Sequence, residues 1–168
     1  MLVANTSGLL SHESFLNDDA EDPRERFITS LLSAIPTEGK IIVYSGYEQT
    51  VMKQLIDSFP EYADRLQELC DRTFDLLKLI RECYYHPDFH GSYSIKAVLP
   101  ALVPGLSYAD LGIHDGSTAA LSYALMIAND TPSSDKVTTE ENLLAYCQRD
   151  TEAMVRIFEV LLAESSGY

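Results

Sequence analysis

At 168 residues the chain is long enough to bury a good core but short for two independent domains, so we expect one domain over residues 1–168. Apolar residues make up 46% and charged residues 23%, without a long apolar run, which excludes a disordered chain and a membrane-spanning one. The net charge of -14 opposes strong binding to nucleic acid, although carboxylate-bound divalent cations can reverse that charge locally.

The N-terminal segment and the cysteines indicate an intracellular protein. Residues 1–10 lack the basic region and apolar core of a secretory signal, so we expect a cytoplasmic location. The three cysteines are odd in number and have no paired spacing, which argues against a disulfide framework or a zinc site. Residues 1–5 look like the remains of a strand, followed by a turn at Ser7 and Gly8.

The first half of the chain predicts one clear strand among several helices. Asp22 and Pro23 form a strong helix start, and the apolar spacing continues to about residue 35. The β-branched run 40–44 lies between glycines and predicts a strand buried on both faces. Helical patterns then cover residues 47–58, 60–71 and 75–85.

The second half predicts three more helices separated by loops. Pro87 and Gly91 make residues 86–94 a loop or a short hairpin. Ser94 is placed to cap a short helix, and a polar linker is expected at 129–136. The helices themselves are expected over 95–102, over 118–128, and from Thr138 or Thr139 to the end of the chain.

The most informative candidate chemistry is the pair Tyr146 and Asp150. Residues four apart on a helix project from the same face, so a phenol lies beside a carboxylate. In two-metal nucleases such a carboxylate holds a divalent cation, while the phenol orients the attacking water. The plainer alternative is a buried tyrosine with a solvent-facing aspartate on an amphipathic helix.

A second candidate is Glu48, which the predicted strand 40–44 delivers to the first turn of a helix. An acidic residue at this place can hold a metal ion rigidly at the carboxyl end of the strand. The alternative is simple helix stabilisation, because the helix dipole favours a glutamate in the first turn.

Together these features resemble the DEDDy branch of the proofreading 3′–5′ exonucleases. The acidic segment TFDLL (73–77) adds to the likeness. More closely, the chain resembles the bacterial domain of unknown function 2779 family, which is placed in the ribonuclease H-like superfamily. The phrases that carry this closer resemblance are HGSYSIKAVLP (90–100), LSYADLGI (106–113) and LAYCQRDTEAM (144–154).

The resemblance implies an α/β, helix-rich domain of the ribonuclease H-like exonuclease type. Glu48 matches the acidic position of the second exonuclease motif, where the superfamily usually has Asp, and Tyr146 and Asp150 match the third. Asp75 matches a further acidic position, as a metal ligand or, more simply, as a helix N-cap. The implied cofactors are Mg²⁺ or Mn²⁺ in a two-metal arrangement.

The first motif of these exonucleases, an Asp-x-Glu pair on the opening strand, is absent from its expected place well before Asp22. We therefore expect either a domain truncated at its N-terminal strands, whose missing region belongs to the full-length protein, or a catalytic strand that comes from elsewhere. The exposed edge beside residues 40–44 would then favour a homo-oligomer.

The expected function is 3′–5′ exonuclease-like hydrolysis of phosphodiester bonds at single-stranded nucleic acid ends, with this chain alone incomplete and inactive. Ser92, Ser94 and Lys96, at a helix N-terminus, are candidate phosphate contacts, although helix capping is the simpler role for Ser94. The alternative function is a non-catalytic interaction or regulatory module that retains the ribonuclease H-like fold. We expect no membrane association.

Overall fold

The computed structural model describes residues 2–4, 10–128 and 131–165. The strands are β1 (Leu2–Ala4), β2 (Leu10–His12), β3 (Ile41–Val43) and β4 (Thr73–Asp75). The helices are α1 (Arg24–Ala34), α2 (Tyr47–Ser58), α3 (Ala63–Arg72), α4 (Leu76–Cys83), α5 (Ile95–Leu102), α6 (Gly116–Met126) and α7 (Ser133–Ser165), with 3₁₀ turns at Pro60–Tyr62 and Pro87–Phe89. The chain is therefore a mixed α/β protein in which helix predominates.

The strands form two small sheets. β1 and β2 pair as an antiparallel ribbon, which agrees with the strand expected near the start of the chain. The expected turn at Ser7 and Gly8 lies outside the described residues. β3 and β4 pair in parallel, with Val43 opposite Asp75. The parallel connection runs through α2 and α3, in keeping with the long crossover that parallel strands require.

Strand β3 is less covered than the sequence predicts. Val43 is buried, whereas Ile41 and Ile42 are only half-buried, so the expectation of a strand buried on both faces is wrong. Within the described ranges, the sheet that holds β3 has only two strands. A sheet this narrow leaves part of its surface accessible.

The main core fixes the middle of α7. It joins α4, α5 and α7 with the aromatic residues Phe89 and Tyr108. Its fully or nearly fully buried members are Ile80, Phe89, Val98, Leu99, Leu102, Tyr108, Ala153 and Ile157. Burying these side chains is the dominant favourable contribution to this half of the fold. As a result, the turn of α7 just before Ala153 is held close to α5 and to the loop that follows it.

Smaller clusters pack the remaining helices. Ile28, Leu55 and Leu66 bury the contact between α1, α2 and α3. Ile113, Met126 and Leu143 bury the contact of α6 with the first half of α7. Of the three cysteines, Cys70 is buried, whereas Cys83 and Cys147 are exposed.

Two helix starts differ from the sequence prediction. Helix α6 begins at Gly116 because Asp115 caps it, with its Oδ1 accepting the Thr118 backbone N–H at 2.9 Å. Helix α7 begins at Ser133, so part of the expected polar linker 129–136 is helical. Pro132 lies just before this start and its carbonyl accepts the Asp135 N–H at 3.0 Å, which closes the first turn. Residues 129 and 130 of that linker lie outside the described residues.

Candidate functional site

Tyr146 and Asp150 lie one turn apart on α7, next to the main core. Both side chains are half-buried. Burial, and after it the charge of Asp150, raise the pKa of Tyr146 to about 12. Because this pKa is far above neutral, the phenol keeps its proton and acts as a hydrogen-bond donor.

A second tyrosine, Tyr108, contacts the same carboxylate and was not singled out from the sequence. Its hydroxyl donates to Oδ1 of Asp150 at 2.6 Å, and its side chain is only 6% exposed. Burial, followed by the hydrogen bond to Asp150, raises the pKa of Tyr108 well above its ordinary value. The ring centroids of Tyr108 and Tyr146 are 6.0 Å apart. Asp150 is thus flanked by two protonated phenols.

The loop that carries Tyr108 is fastened to α7 by Arg149. Its guanidinium donates to the Ser107 carbonyl oxygen, and its Nη1 and Nη2 each donate to one oxygen of Asp110 at 3.0 Å. On the other side, His114 Nδ1 lies 2.9 Å from the Tyr108 carbonyl oxygen. The Tyr108 hydroxyl is therefore fixed in position relative to Asp150.

Glu48 occupies the first turn of α2, directly after β3 and its short connection. Its side chain is half-buried, and its Oε2 is buried without a hydrogen-bond partner. Burial is the main cause that raises the pKa of Glu48, and the charges of Asp75 and Asp150 raise it further. Two residues far from Glu48 in the sequence, Asp75 and Asp150, thus act on it electrostatically, and the three residues form the acidic group.

Asp75 ends β4 and caps α4. Its Oδ1 accepts the backbone N–H of Lys78 at 3.1 Å, which is the capping geometry expected from the sequence. Its charge still acts on Glu48. Asp75 therefore combines a structural role with an electrostatic effect on Glu48.

Asp150 itself binds a proton more tightly than an exposed aspartate. Burial raises its pKa, while the hydrogen bonds from Tyr108 and Tyr146 and the charge of Lys96 act in the opposite direction. The carboxylate is consequently partly desolvated and stabilised by donors rather than by a direct ion pair. Such perturbed carboxyl groups are common at functional sites, although structural networks also produce them.

The three candidate phosphate contacts differ in how they relate to Tyr108 and Asp150. The ammonium nitrogen of Lys96 lies 6.0 Å from the centroid of the Tyr108 ring, and its charge acts on Asp150. Ser92 and Ser94 are exposed and lie 3.3 Å apart between hydroxyl oxygens. Ser94 stands at the N-cap of α5, but its side chain makes no capping hydrogen bond, so the expected capping role is wrong. The Ser94 hydroxyl is oriented toward Ser92 instead.

An Asp-x-Glu triplet does occur before Glu48, from Asp19 to Glu21. It lies in the loop before α1 and not on a strand. One oxygen of Asp19 accepts the Glu21 backbone N–H at 2.9 Å, and the other lies 3.2 Å from Arg26. These contacts make it a loop-stabilising residue and not the counterpart of a strand-borne first motif.

The donors at the acidic group suit a hard cation. They are oxygen atoms, and the buried, unpartnered Oε2 of Glu48 is the observation that favours a ligand there. Within residues 2–4, 10–128 and 131–165, no group of three or more His, Cys, Asp or Glu side chains is arranged to hold a metal ion. The described side chains therefore do not form a metal site on their own, and a cation held there would need most of its ligands from elsewhere.

The fold and the site define a mostly helical α/β protein. Its three candidate site carboxylates, Glu48, Asp75 and Asp150, come from α2, β4 and α7 respectively. The chain belongs to the family described as Domain of unknown function (DUF2779), whose family model matches residues 2–94. Glu48 and Asp75 lie inside the matched region, whereas Tyr108, Tyr146 and Asp150 lie beyond it. No curated protein and no solved structure matches the chain. No helix in the part of the chain that the structure describes is long and apolar enough to cross a membrane.

Proposed function

We propose that the chain is a metal-dependent, nuclease-type domain of the ribonuclease H-like exonuclease kind, acting on phosphodiester bonds at single-stranded nucleic acid ends. The observation that carries the proposal is Glu48. Its buried Oε2 lacks a hydrogen-bond partner, and the charges of Asp75 and Asp150 raise the pKa of the Glu48 carboxyl group. Neighbouring carboxylates destabilise one another unless a cation or protons neutralise them. A divalent cation would neutralise them at neutral pH.

Glu48 and Asp150 would hold Mg²⁺ or Mn²⁺, with Asp75 beside them. When bound, such a cation lowers the pKa of a coordinated water and stabilises negative charge on phosphate oxygens. Cation binding at these residues would also offset the net charge of -14 where a nucleic acid backbone approaches. The oxygen-only donors favour these hard cations over zinc.

Tyr146 and Lys96 would orient the reacting groups. The Tyr146 phenol keeps its proton at neutral pH, because its pKa is about 12, so it can donate a hydrogen bond to the attacking water or to the scissile phosphate. Lys96 contributes positive charge next to Asp150 and can attract a phosphate. Ser92 and Ser94 offer exposed hydroxyl groups nearby in the chain for further phosphate contacts.

We further propose that the chain by itself lacks hydrolytic activity. The resemblance to the DEDDy exonucleases implies four acidic ligands, two of them from a strand-borne Asp-x-Glu motif. The Asp19 to Glu21 triplet is in a loop and its aspartate is held by Arg26. The missing pair would have to come from a strand outside the described part of this chain.

The decisive experiment measures Mn²⁺ binding by the chain, using electron paramagnetic resonance of the free ion. We expect binding that is lost or strongly weakened in Asp150→Asn and in Glu48→Gln. Glu141→Gln is the matched control, since Glu141 is an exposed acid on α7. Indifference of the binding to Asp150→Asn would contradict the proposal.

Hydrolysis is tested on a longer chain that includes an Asp-x-Glu strand before residue 1. We expect Mn²⁺-dependent shortening of an end-labelled single-stranded oligonucleotide, and no shortening when Asp150→Asn is introduced. DNA and RNA oligonucleotides are compared in parallel. Absence of Mn²⁺-dependent shortening by this longer chain would rule out the nuclease assignment.

The second candidate is a non-catalytic interaction or regulatory module that keeps the fold. Two observations favour it: the net charge of -14, and the lack of a three-residue ligand group among the described side chains. A module of this kind would be indifferent to Mn²⁺ and to Asp150→Asn. The binding experiment above therefore separates the two candidates directly.

A further inference from the structure

Helix α6 exposes an apolar face that the proposed function does not use. Residues 116–128 contain no charged side chain, in a chain whose net charge is -14. One face of the helix packs against α7 through Tyr123 and Met126. The opposite face leaves Leu121 63% exposed and Leu125 58% exposed. A helix that is apolar on all sides is ordinarily buried, so the open face is suited to a further contact.

The exposed face is a stripe that alternates small and large side chains. Its members are Ala120, Leu121, Ala124 and Leu125, all exposed in the part of the chain that the structure describes. Positions one turn apart lie on the same side of a helix, so the four residues form one continuous surface. The alanines leave hollows beside the leucines, and a leucine from a second helix can fill such a hollow.

The order of residues makes this stripe complementary to itself in an antiparallel arrangement. If two copies of α6 meet about a two-fold axis midway between residues 122 and 123, Leu121 of each copy faces Ala124 of the other. Leu125 of each copy then faces Ala120 of the other. Every leucine meets an alanine, which satisfies the requirement of a two-fold interface that the same surface binds itself. The opposed helix dipoles also favour the antiparallel arrangement.

We propose that the exposed face of α6 binds a second copy of this chain, forming a two-fold dimer through antiparallel α6 helices. This inference goes beyond the proposed function and does not depend on a bound cation. A face without lysine or arginine is poorly suited to nucleic acid or to an anionic lipid surface. The same lack of charge lets two acidic chains meet there without burying a charged group.

The dimer is expected to be weak and reversible. Helix α6 has 11 residues and is therefore only about 16 Å long. A single pair of such short helices buries less than the roughly 800 Å² per partner of a standard interface. The net charge of -14 on each chain adds repulsion outside the contact, so added salt should strengthen the dimer.

The test is sedimentation velocity of the full chain at increasing concentration. Every chain carries Ile42→Lys, so that pairing at the uncovered edge of β3 does not contribute. We expect Leu121→Glu to weaken the dimer about a hundredfold, because the change occurs twice and each buried leucine accounts for at least roughly tenfold in affinity. Leu162→Glu is the matched control, since Leu162 is a 49% exposed leucine on the C-terminal part of α7.

A mixing experiment tests the antiparallel register. Leu121→Glu and Ala124→Lys should each be monomeric alone, because each sets a charge against an apolar side chain. An equimolar mixture should recover a dimer, because the two new charges then face one another and the second leucine–alanine contact is intact. Leu121→Glu mixed with Ser117→Lys should form no such mixed dimer, since position 117 lies about two turns away from position 124.

Several results would overturn the inference. They are a strictly monomeric profile at high concentration, an unchanged dimer in Leu121→Glu, and an equal loss of dimer in Leu162→Glu. Vesicles of neutral phosphatidylcholine are tested in parallel. Binding to these vesicles by a chain that stays monomeric would assign the face to lipid instead and would also overturn the inference. None of these results bears on Mn²⁺ binding, so the proposed function is tested separately.

A measurement without substitutions in α6 keeps the inference testable if Leu121→Glu does not fold. Amide resonances of the Ile42→Lys chain are recorded by nuclear magnetic resonance during dilution. We expect concentration-dependent shifts of the resonances of residues 117–128. Shifts confined to other parts of the chain would place the contact elsewhere and would contradict the inference.

Discussion

Arg149 holds Asp110 through two hydrogen bonds of 3.0 Å each, so the loop after α5 is fastened to the same turn of α7 that carries Asp150. Arg149 and Asp150 are consecutive, and both bind this loop. Arg149 donates to Asp110 and to the Ser107 carbonyl oxygen, whereas Asp150 accepts a hydrogen bond from the Tyr108 hydroxyl. The loop and the helix thus form one structural unit around the carboxylate.

Replacement of Arg149 by Lys should loosen this unit. A lysine cannot reproduce the two-pronged geometry, and the Ser107 carbonyl would lose its donor. We expect the free energy of unfolding to fall by about 1–2 kcal/mol, measured by urea denaturation. Arg156→Lys is the matched control on α7, since its pair with Glu159 is exposed and should cost less than about 0.5 kcal/mol. Equal losses in both variants would show that Arg149 does not anchor the loop.

Glu48→Gln should change how stability depends on pH. The raised pKa of Glu48 means that the folded chain holds this proton more tightly than the unfolded chain does. The contribution of Glu48 to the free energy of unfolding is therefore full below its ordinary pKa of 4.5 and is lost as the pH rises through the raised value. Glutamine has no proton to lose, so we expect the variant to be more stable than the wild type at neutral pH.

The measurement is urea denaturation without divalent cations at two pH values. The first is pH 4.5, the ordinary pKa of a glutamate, and the second is pH 7. The gain from Glu48→Gln should be larger at the higher pH. Glu141→Gln, an exposed change, should show no such difference. A Glu48→Gln variant that is less stable than the wild type at neutral pH would mean that the carboxylate is stabilised by its surroundings, contrary to the unpartnered Oε2.

Substitutions of Asp75 separate its capping role from its charge. Asparagine caps a helix about as well as aspartate, so Asp75→Asn should leave stability nearly unchanged, whereas Asp75→Ala should lower it by about 1 kcal/mol. One oxygen of Asp75 is already bonded to the Lys78 N–H. We therefore expect Asp75→Asn to weaken Mn²⁺ binding less than Asp150→Asn does. The reverse order of Mn²⁺ affinities would make Asp75 the principal ligand.

Self-association through the free edge of β3 remains a prediction. Among the described strands, β3 pairs only with β4, so no described strand covers its other edge. Ile42→Lys should weaken this association, because a lysine on an edge strand disfavours pairing. Sedimentation velocity at increasing concentration is the measurement, and added salt should strengthen association by screening the charge of -14. A strictly monomeric profile at high concentration would contradict it.

The sequence predicts α1, α2 and α5 to within a residue or two, because their ends are set by local signals. Pro23 marks the start of the first, serine and glycine precede the second, and Pro104 and Gly105 follow the third. β4 was not predicted, since a strand of only three residues becomes recognisable through its pairing with β3, some thirty residues earlier. The early start of α7 at Ser133 was missed because a polar stretch was read as a linker.

For the candidate site, the sequence by itself determined that Tyr146 and Asp150 lie one turn apart on a helix and that Glu48 opens a helix after a strand. These relationships need only helix and strand geometry. The tertiary structure alone decided that the charges of Asp75 and Asp150 act on Glu48 and that Tyr108 donates to Asp150 across 42 residues of chain. Those contacts depend on core burial around α5 and α7, which is a property of the folded packing and not of any local segment.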